Sequence, residues 1–71
     1  MNKVTWLQLV EEVEAINIRF GSSYQITPLT NGHRARLAWG NKFQTEQYTM
    51  KEMWVFLQGI RIGKYTARIT G

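Results

Sequence analysis

Apolar residues recur at three- and four-residue intervals from Trp6 onward, which predicts an amphipathic helix over residues 6–20. Thr5 and Gln8 form a capping-box signature at its start, because the threonine hydroxyl can accept from a first-turn amide while the glutamine reaches back. Gly21 suits the left-handed position that ends a helix. The predicted core stripe comprises Trp6, Leu9, Val10, Val13, Ile16 and Phe20.

A second capping box, Thr49 followed by Glu52, predicts another helix that begins after Thr49. We expect this helix to stop near Gln58, with Gly59 as its left-handed cap and Ile60 folded back on the helix. Its predicted core stripe comprises Met50, Met53, Trp54 and Leu57.

Between the two helices the polar and apolar residues alternate with the period of two that is typical of strands. Residues 24–27 predict a first strand, which Pro28 either confines to a sheet edge or ends with a bulge. Asn31-Gly32 is a turn signal, and strands are predicted over 33–39 and 43–48. In the middle strand Ala35, Leu37 and Trp39 share one face, and Arg34, Arg36 and Ala38 share the other.

Two registers are open for the hairpin that joins the last two strands. A two-residue Gly40-Asn41 turn would face Trp39 with Lys42 and Leu37 with Gln44, which gives two mixed faces. A three-residue loop would instead pair Trp39 with Phe43, Leu37 with Thr45 and Arg36 with Glu46. We prefer the second register, because it buries aromatic rings together and matches opposite charges.

The predicted fold class is therefore α+β, with a helix, a three-stranded antiparallel sheet and a second helix. A length of 71 residues allows a single domain, spanning 1–71. Tyr65, Ala67 and Ile69 alternate with polar residues, so the tail over about 64–71 is expected to be a short C-terminal strand or a frayed end.

The composition leaves few residues for catalysis. The chain has no cysteine and no aspartate, and His33 is its only histidine, so no nucleophile–histidine–carboxylate set of the usual kind can be assembled. One histidine offers too few ligands for zinc, and Glu11, Glu12 and Glu14 are interpreted as a solvated helix face. We expect no enzyme activity, no metal site and no cofactor.

Positive charge is concentrated after the first helical turns. Residues 1–14 carry one lysine against three glutamates, a balance of −2, whereas residues 15–71 carry eight Lys or Arg against two glutamates, a balance of +6. Such a one-sided field favours polyanions. The candidate nucleic-acid-binding residues are Arg34, Arg36, Lys42, Lys51, Arg61, Lys64 and Arg68.

Apolar residues outside the helical stripes favour a different partner. Leu7 and Ile18 on the first helix, and Val55 and Phe56 on the second, are candidate contacts for a host protein or for a second copy of the chain in a homodimer. No run approaches the roughly 20 apolar residues of a bilayer span, so a cytoplasmic protein without a membrane partner is expected. Of the two interpretations we prefer the protein partner, with nucleic acid on a basic sheet face as the alternative.

Two resemblances extend over parts of the chain. The helix–three strands–helix order of residues 5–59 resembles the double-stranded-RNA-binding domain, but the lysine-rich helix start of that family is replaced by Thr49-Met50-Lys51-Glu52, so its RNA contacts are not carried over. Arg36-Leu37, the segment 48–53 and Phe56-Leu57-Gln58-Gly59-Ile60 are similar to small phage and mobile-element proteins. That resemblance implies a compact accessory or host-interfering protein without catalytic residues.

Overall fold

The computed structural model describes residues 3–63 as two helices and an antiparallel sheet, which confirms the α+β fold class. Strand β2 lies between β1 on one side and the short strands β3 and β4 on the other. The elements in chain order are α1 (Trp6–Phe20), β1 (Tyr24–Leu29), a 3₁₀ turn (Thr30–Gly32), β2 (Arg34–Trp39), β3 (Lys42–Phe43), β4 (Tyr48–Thr49) and α2 (Met50–Arg61).

Both predicted helix starts are confirmed. The Thr5 hydroxyl accepts from the Gln8 amide at 3.2 Å, and the Gln8 side chain accepts from the Thr5 amide at 2.8 Å. Thr49 and Glu52 form the same reciprocal pair at 3.2 and 2.8 Å. Each box satisfies two amides that the helix itself leaves unpaired, which explains why the sequence places both helix starts correctly.

The helix ends divide into one confirmed and one wrong prediction. Gly21 ends α1 in the left-handed conformation, with φ +64°. Gly59 does not end α2, which continues to Arg61 and is followed by Gly63 at φ +88°. The reason lies in Ile60, which is 1% exposed: one further helical turn keeps this side chain in the core instead of folding it back.

The hairpin register that we preferred is wrong. Trp39 faces Lys42 and Ala38 faces Phe43, so the turn is the two-residue Gly40-Asn41. Gly40 has φ +63°, a conformation that a two-residue hairpin turn needs and glycine adopts without strain. Phe43 therefore lies on the outward side of the sheet instead of beside Trp39.

The return strand is also interrupted where a continuous strand over 43–48 was predicted. The Gln44 amide still donates to the Leu37 carbonyl at 2.8 Å, but the Leu37 amide donates to the Thr45 hydroxyl at 3.1 Å. The Thr45 hydroxyl thus takes the place of the backbone carbonyl that would accept this hydrogen bond in a regular strand pair. Strand pairing resumes where Tyr48 faces Ala35. The predicted Arg36–Glu46 pair does not form, because Glu46 lies in this unpaired segment, and the Arg36 guanidinium lies over the Phe43 ring instead.

Both helices pack on the same face of the sheet. Ala35 and Leu37 are fully buried beneath them, which confirms the predicted inner face of β2. Two residues of α1 depart from expectation: Phe20 is 40% exposed as a whole residue, and Glu12 is buried instead of solvated. The buried hydrophobic core among the described residues comprises Leu9, Val13, Ile16, Tyr24, Ala35, Leu37, Met53, Leu57 and Ile60.

Glu12 is buried because it has partners on α2. Both carboxylate oxygens accept from Arg61 at 3.0 Å, and one also accepts from the Gln58 side chain at 3.0 Å. Its position three residues after Leu9 and four before Ile16 lies within the apolar stripe of α1. The ion pair therefore joins the two helices beside the core.

Thr49→Ala should lower the free energy of unfolding by about 1 kcal/mol, because the Glu52 amide loses its acceptor at the start of α2. Glu52→Ala should cost less, since it leaves the hydroxyl cap in place. Chemical denaturation followed by circular dichroism measures both effects. A Thr49→Ala protein as stable as the wild type would show that the cap does not stabilise α2.

Candidate nucleic-acid interface

The face of the sheet that points away from the helices carries positive charge. Alternate residues of each strand point to this outward face, and paired residues share a side. The set contains two arginines and no carboxylate. Its members in the described part of the chain are Gln25, Thr27, Leu29, Arg34, Arg36, Ala38, Phe43 and Thr49.

Arg36 is held in place by an aromatic ring. Its guanidinium carbon lies 4.2 Å from the centroid of the Phe43 ring, and the Phe43 side chain is 66% exposed. Arg36 is half-buried, and its Nε is buried without a hydrogen-bond partner among residues 3–63. The ring holds the charged guanidinium at this face, and the buried Nε is out of reach of a ligand, so acceptor oxygens of a ligand would bind the terminal nitrogens.

Arg34 lies two residues from Arg36 on the same side of β2, which is about 7 Å along a strand. It is exposed, and one of its terminal nitrogens donates to the Gln47 carbonyl at 2.9 Å. The Thr49 amide lowers the pKa of Glu52, and the charge of Arg34 adds to this effect. Arg34 is therefore anchored at one end of the outward face while its remaining donors are open to solvent.

Among the described residues, none of the other predicted basic residues occupies a strand position of the outward face. Lys42 faces Trp39, so it lies on the side of the sheet that the helices cover. Lys51 is exposed on α2, and Arg61 binds Glu12. Lys64, Arg68 and the predicted C-terminal strand lie outside the described residues.

The predicted apolar contacts on α1 are exposed but separate. Leu7 is 63% exposed and Ile18 is 84% exposed. Eleven residues apart, they lie near the same side of the helix, with Glu11 and Glu14 exposed between them. These two residues therefore do not form a continuous apolar patch.

The predicted apolar contacts on α2 line an open groove of about 400 Å³ together with Tyr48, Lys51 and Glu52. Val55 is 60% exposed, whereas Phe56 is half-buried with its ring 5.9 Å from that of Tyr48. The groove is shallow and mixes apolar side chains with two opposite charges.

The free edge of β1 offers little to an added strand. The Asn17 side chain donates to the Tyr24 carbonyl at 3.0 Å and accepts from the Tyr24 amide at 2.9 Å, so these groups point away from β2 and are already paired. The backbone amides and carbonyls of alternate residues point to the same side of a strand, so those of Ile26 and Pro28 point away from β2, as those of Tyr24 do. Pro28 has no amide hydrogen to donate to an added strand. Asn17 lies in the apolar stripe of α1, and its side chain satisfies the hydrogen bonds of backbone groups at the start of β1.

Residues 3–63 contain no group of three or more histidine, cysteine, aspartate or glutamate side chains placed to hold a metal ion. No helix of this segment is long and apolar enough to cross a membrane. His33, the single histidine, is exposed beside the 3₁₀ turn.

Phe43 is the residue of the outward face that sequence reasoning missed. The preferred register assigned it to the core beside Trp39, whereas Trp39 packs against Tyr24 with ring centroids 4.9 Å apart. The two-residue turn Gly40-Asn41 was the signal that could have placed Phe43 correctly.

Comparisons of the chain with protein-family models, with curated proteins and with solved structures give no match. The functional interpretation therefore depends on the outward face and its chemistry.

Proposed function

We propose that this protein is a non-enzymatic module that binds nucleic acid on the outward face of its sheet. The observation that carries the proposal is the pair of cations on one side of β2: Arg36, whose guanidinium lies over exposed Phe43, and exposed Arg34 two residues away. Phosphate oxygens suit these groups because they are charged acceptors that match the planar guanidinium.

The charge of the face supports a polyanion over a neutral ligand. Arg34 and Arg36 are the charged residues of the set, and the whole chain has a net charge of +4. Successive phosphates of a nucleic-acid strand could contact two cations about 7 Å apart on one side of a strand. Binding of this kind needs no catalytic group.

A protein partner is the second candidate, and exposed Leu7, Ile18 and Val55 favour it. We rank it lower than the sequence alone suggests. Glutamates separate Leu7 from Ile18, and the Asn17 side chain together with Pro28 limits strand addition at β1. The accessory role implied by the similarity to phage and mobile-element proteins stays a prediction under either candidate.

The test is the salt dependence of binding to labelled oligonucleotides, measured by fluorescence anisotropy. Each phosphate that is neutralised releases counterions, so affinity should fall steeply as salt rises. The double variant Arg34→Gln, Arg36→Gln should flatten the slope of log affinity against log salt by roughly 1–2 units.

A charge-matched control separates the face from the overall field. Lys3→Gln combined with Arg19→Gln removes the same two charges from exposed positions outside the sheet. If this control flattens the slope as much as the arginine pair does, binding does not use the outward face. If the wild type fails to bind at low salt, a protein partner becomes the better interpretation.

A further inference from the structure

The Phe43 ring offers more than support for Arg36. Arg36 lies over the ring, yet 66% of the Phe43 side chain remains accessible at the outer end of the sheet. Phe43 is paired with Ala38, whose methyl side chain is too short to cover the ring. The guanidinium lies over one face of the ring, so the opposite face is the surface on which a nucleic-acid base can stack.

The bases of a duplex are stacked on one another, whereas those of a single strand can be turned outward onto an aromatic side chain. The outward face has its two arginines on one strand, β2, and its aromatic ring on the adjacent β3. This arrangement places phosphate-binding groups in a line with a stacking group beside them. It suits one chain of phosphates with bases projecting to one side.

We infer that the ligand is a single-stranded nucleic acid, with its phosphates bound by Arg34 and Arg36 and one base stacked on Phe43. This inference rests on the proposed function. It adds that the bases contribute to the affinity, and that base stacking and phosphate binding belong to different side chains.

The probes are a labelled 12-nucleotide oligothymidylate, an abasic strand with the same number of phosphates, and a duplex of the same length. The wild type should bind the oligothymidylate about tenfold more tightly than the abasic strand, as expected for one stacked base. It should also bind the oligothymidylate more tightly than the duplex.

Variants of Phe43 separate stacking from charge. Phe43→Leu should abolish the roughly tenfold preference for the oligothymidylate over the abasic strand, because it removes the stacking ring. This ratio cancels any loss that comes from releasing Arg36, since both strands carry the same number of phosphates. Phe43→Tyr keeps an aromatic ring and should retain the affinity. Phe20→Leu is the matched control, since Phe20 is 40% exposed and its ring centroid lies 5.5 Å from the Arg19 guanidinium on α1, outside the outward face.

The outcomes distinguish this inference from the proposed function. If Phe43→Leu binds the oligothymidylate as tightly as the wild type does, base stacking on Phe43 is overturned. The same holds if the wild type binds the abasic strand or the duplex at least as tightly as the oligothymidylate. In each case a salt-dependent phosphate site stands. If no probe shows salt-dependent binding, both proposals are overturned. Loss of affinity in Phe20→Leu equal to that in Phe43→Leu would likewise overturn the assignment to Phe43.

Discussion

Leu37→Ala is expected to lower the free energy of unfolding by about 2–5 kcal/mol, the range for removing a large buried aliphatic side chain. Leu37 is fully buried in the middle of β2, the central strand, and belongs to the core formed by both helices. The loss removes buried apolar surface and leaves a cavity that helices packed on one face cannot readily fill. Urea denaturation measures the change.

Gln44→Ala is the matched control for this prediction. Gln44 lies across the hairpin from Leu37, but the bond between them uses the Gln44 backbone amide, which alanine retains. The Gln44 side chain donates a long hydrogen bond of 3.4 Å to the Lys42 carbonyl, two residues away. Similar losses of stability in the two variants would contradict the assignment of Leu37 to the buried face of the hairpin.

The helix starts and the faces of β2 could be predicted because their causes are local. A capping box depends on residues three apart, and strand alternation depends on every second residue, so Thr49 and Leu37 carry their own signals. Pro28 also lies at an edge, one of the two positions predicted for it. These signals do not require knowledge of what packs against them.

The parts that could not be predicted depend on contacts between distant residues. Gly59 is a helix-ending signal, but burial of Ile60 against the core extends α2 past it. Thr45 interrupts the return strand because its hydroxyl accepts from Leu37, a contact that strand periodicity does not encode. Glu12 was assigned to solvent because its partner, Arg61, is 49 residues away.

The candidate site shows the same division. Alternation along β2 is sufficient to put Arg34 and Arg36 on one face. The contact between Arg36 and Phe43 could be predicted only from the correct hairpin register. The register that we preferred differs by one residue, and it places the Phe43 ring on the core side of the sheet. The remaining basic residues were grouped by charge alone, whereas Arg61 is bound by Glu12 and Lys42 lies on the other side of the sheet.

Arg61→Ala is expected to destabilise the protein more than Glu12→Leu does, although both break the same ion pair. The Glu12 side chain is 7% exposed and the Arg61 side chain 48% exposed. Removing Arg61 leaves a carboxylate buried with Gln58 as its remaining partner, whereas removing Glu12 leaves a guanidinium that solvent can reach. We expect Arg61→Ala to cost about 2 kcal/mol, less than for a fully buried pair because solvent reaches the arginine.

The control for this comparison is Arg19→Ala, since Arg19 occupies the last turn of α1 as Arg61 occupies the last turn of α2. Both arginines complement the carbonyl end of a helix, but among the described residues only Arg61 has a carboxylate partner. Arg19→Ala should therefore cost well under half as much, measured by the same denaturation experiment.

In the double variant Glu12→Leu, Arg61→Ala the cost of removing Arg61 should largely disappear, because no buried carboxylate remains to be left without its cation. If Arg61→Ala lowers the free energy of unfolding by the same amount in the Glu12→Leu background, Arg61 stabilises the end of α2 and not the charge on Glu12.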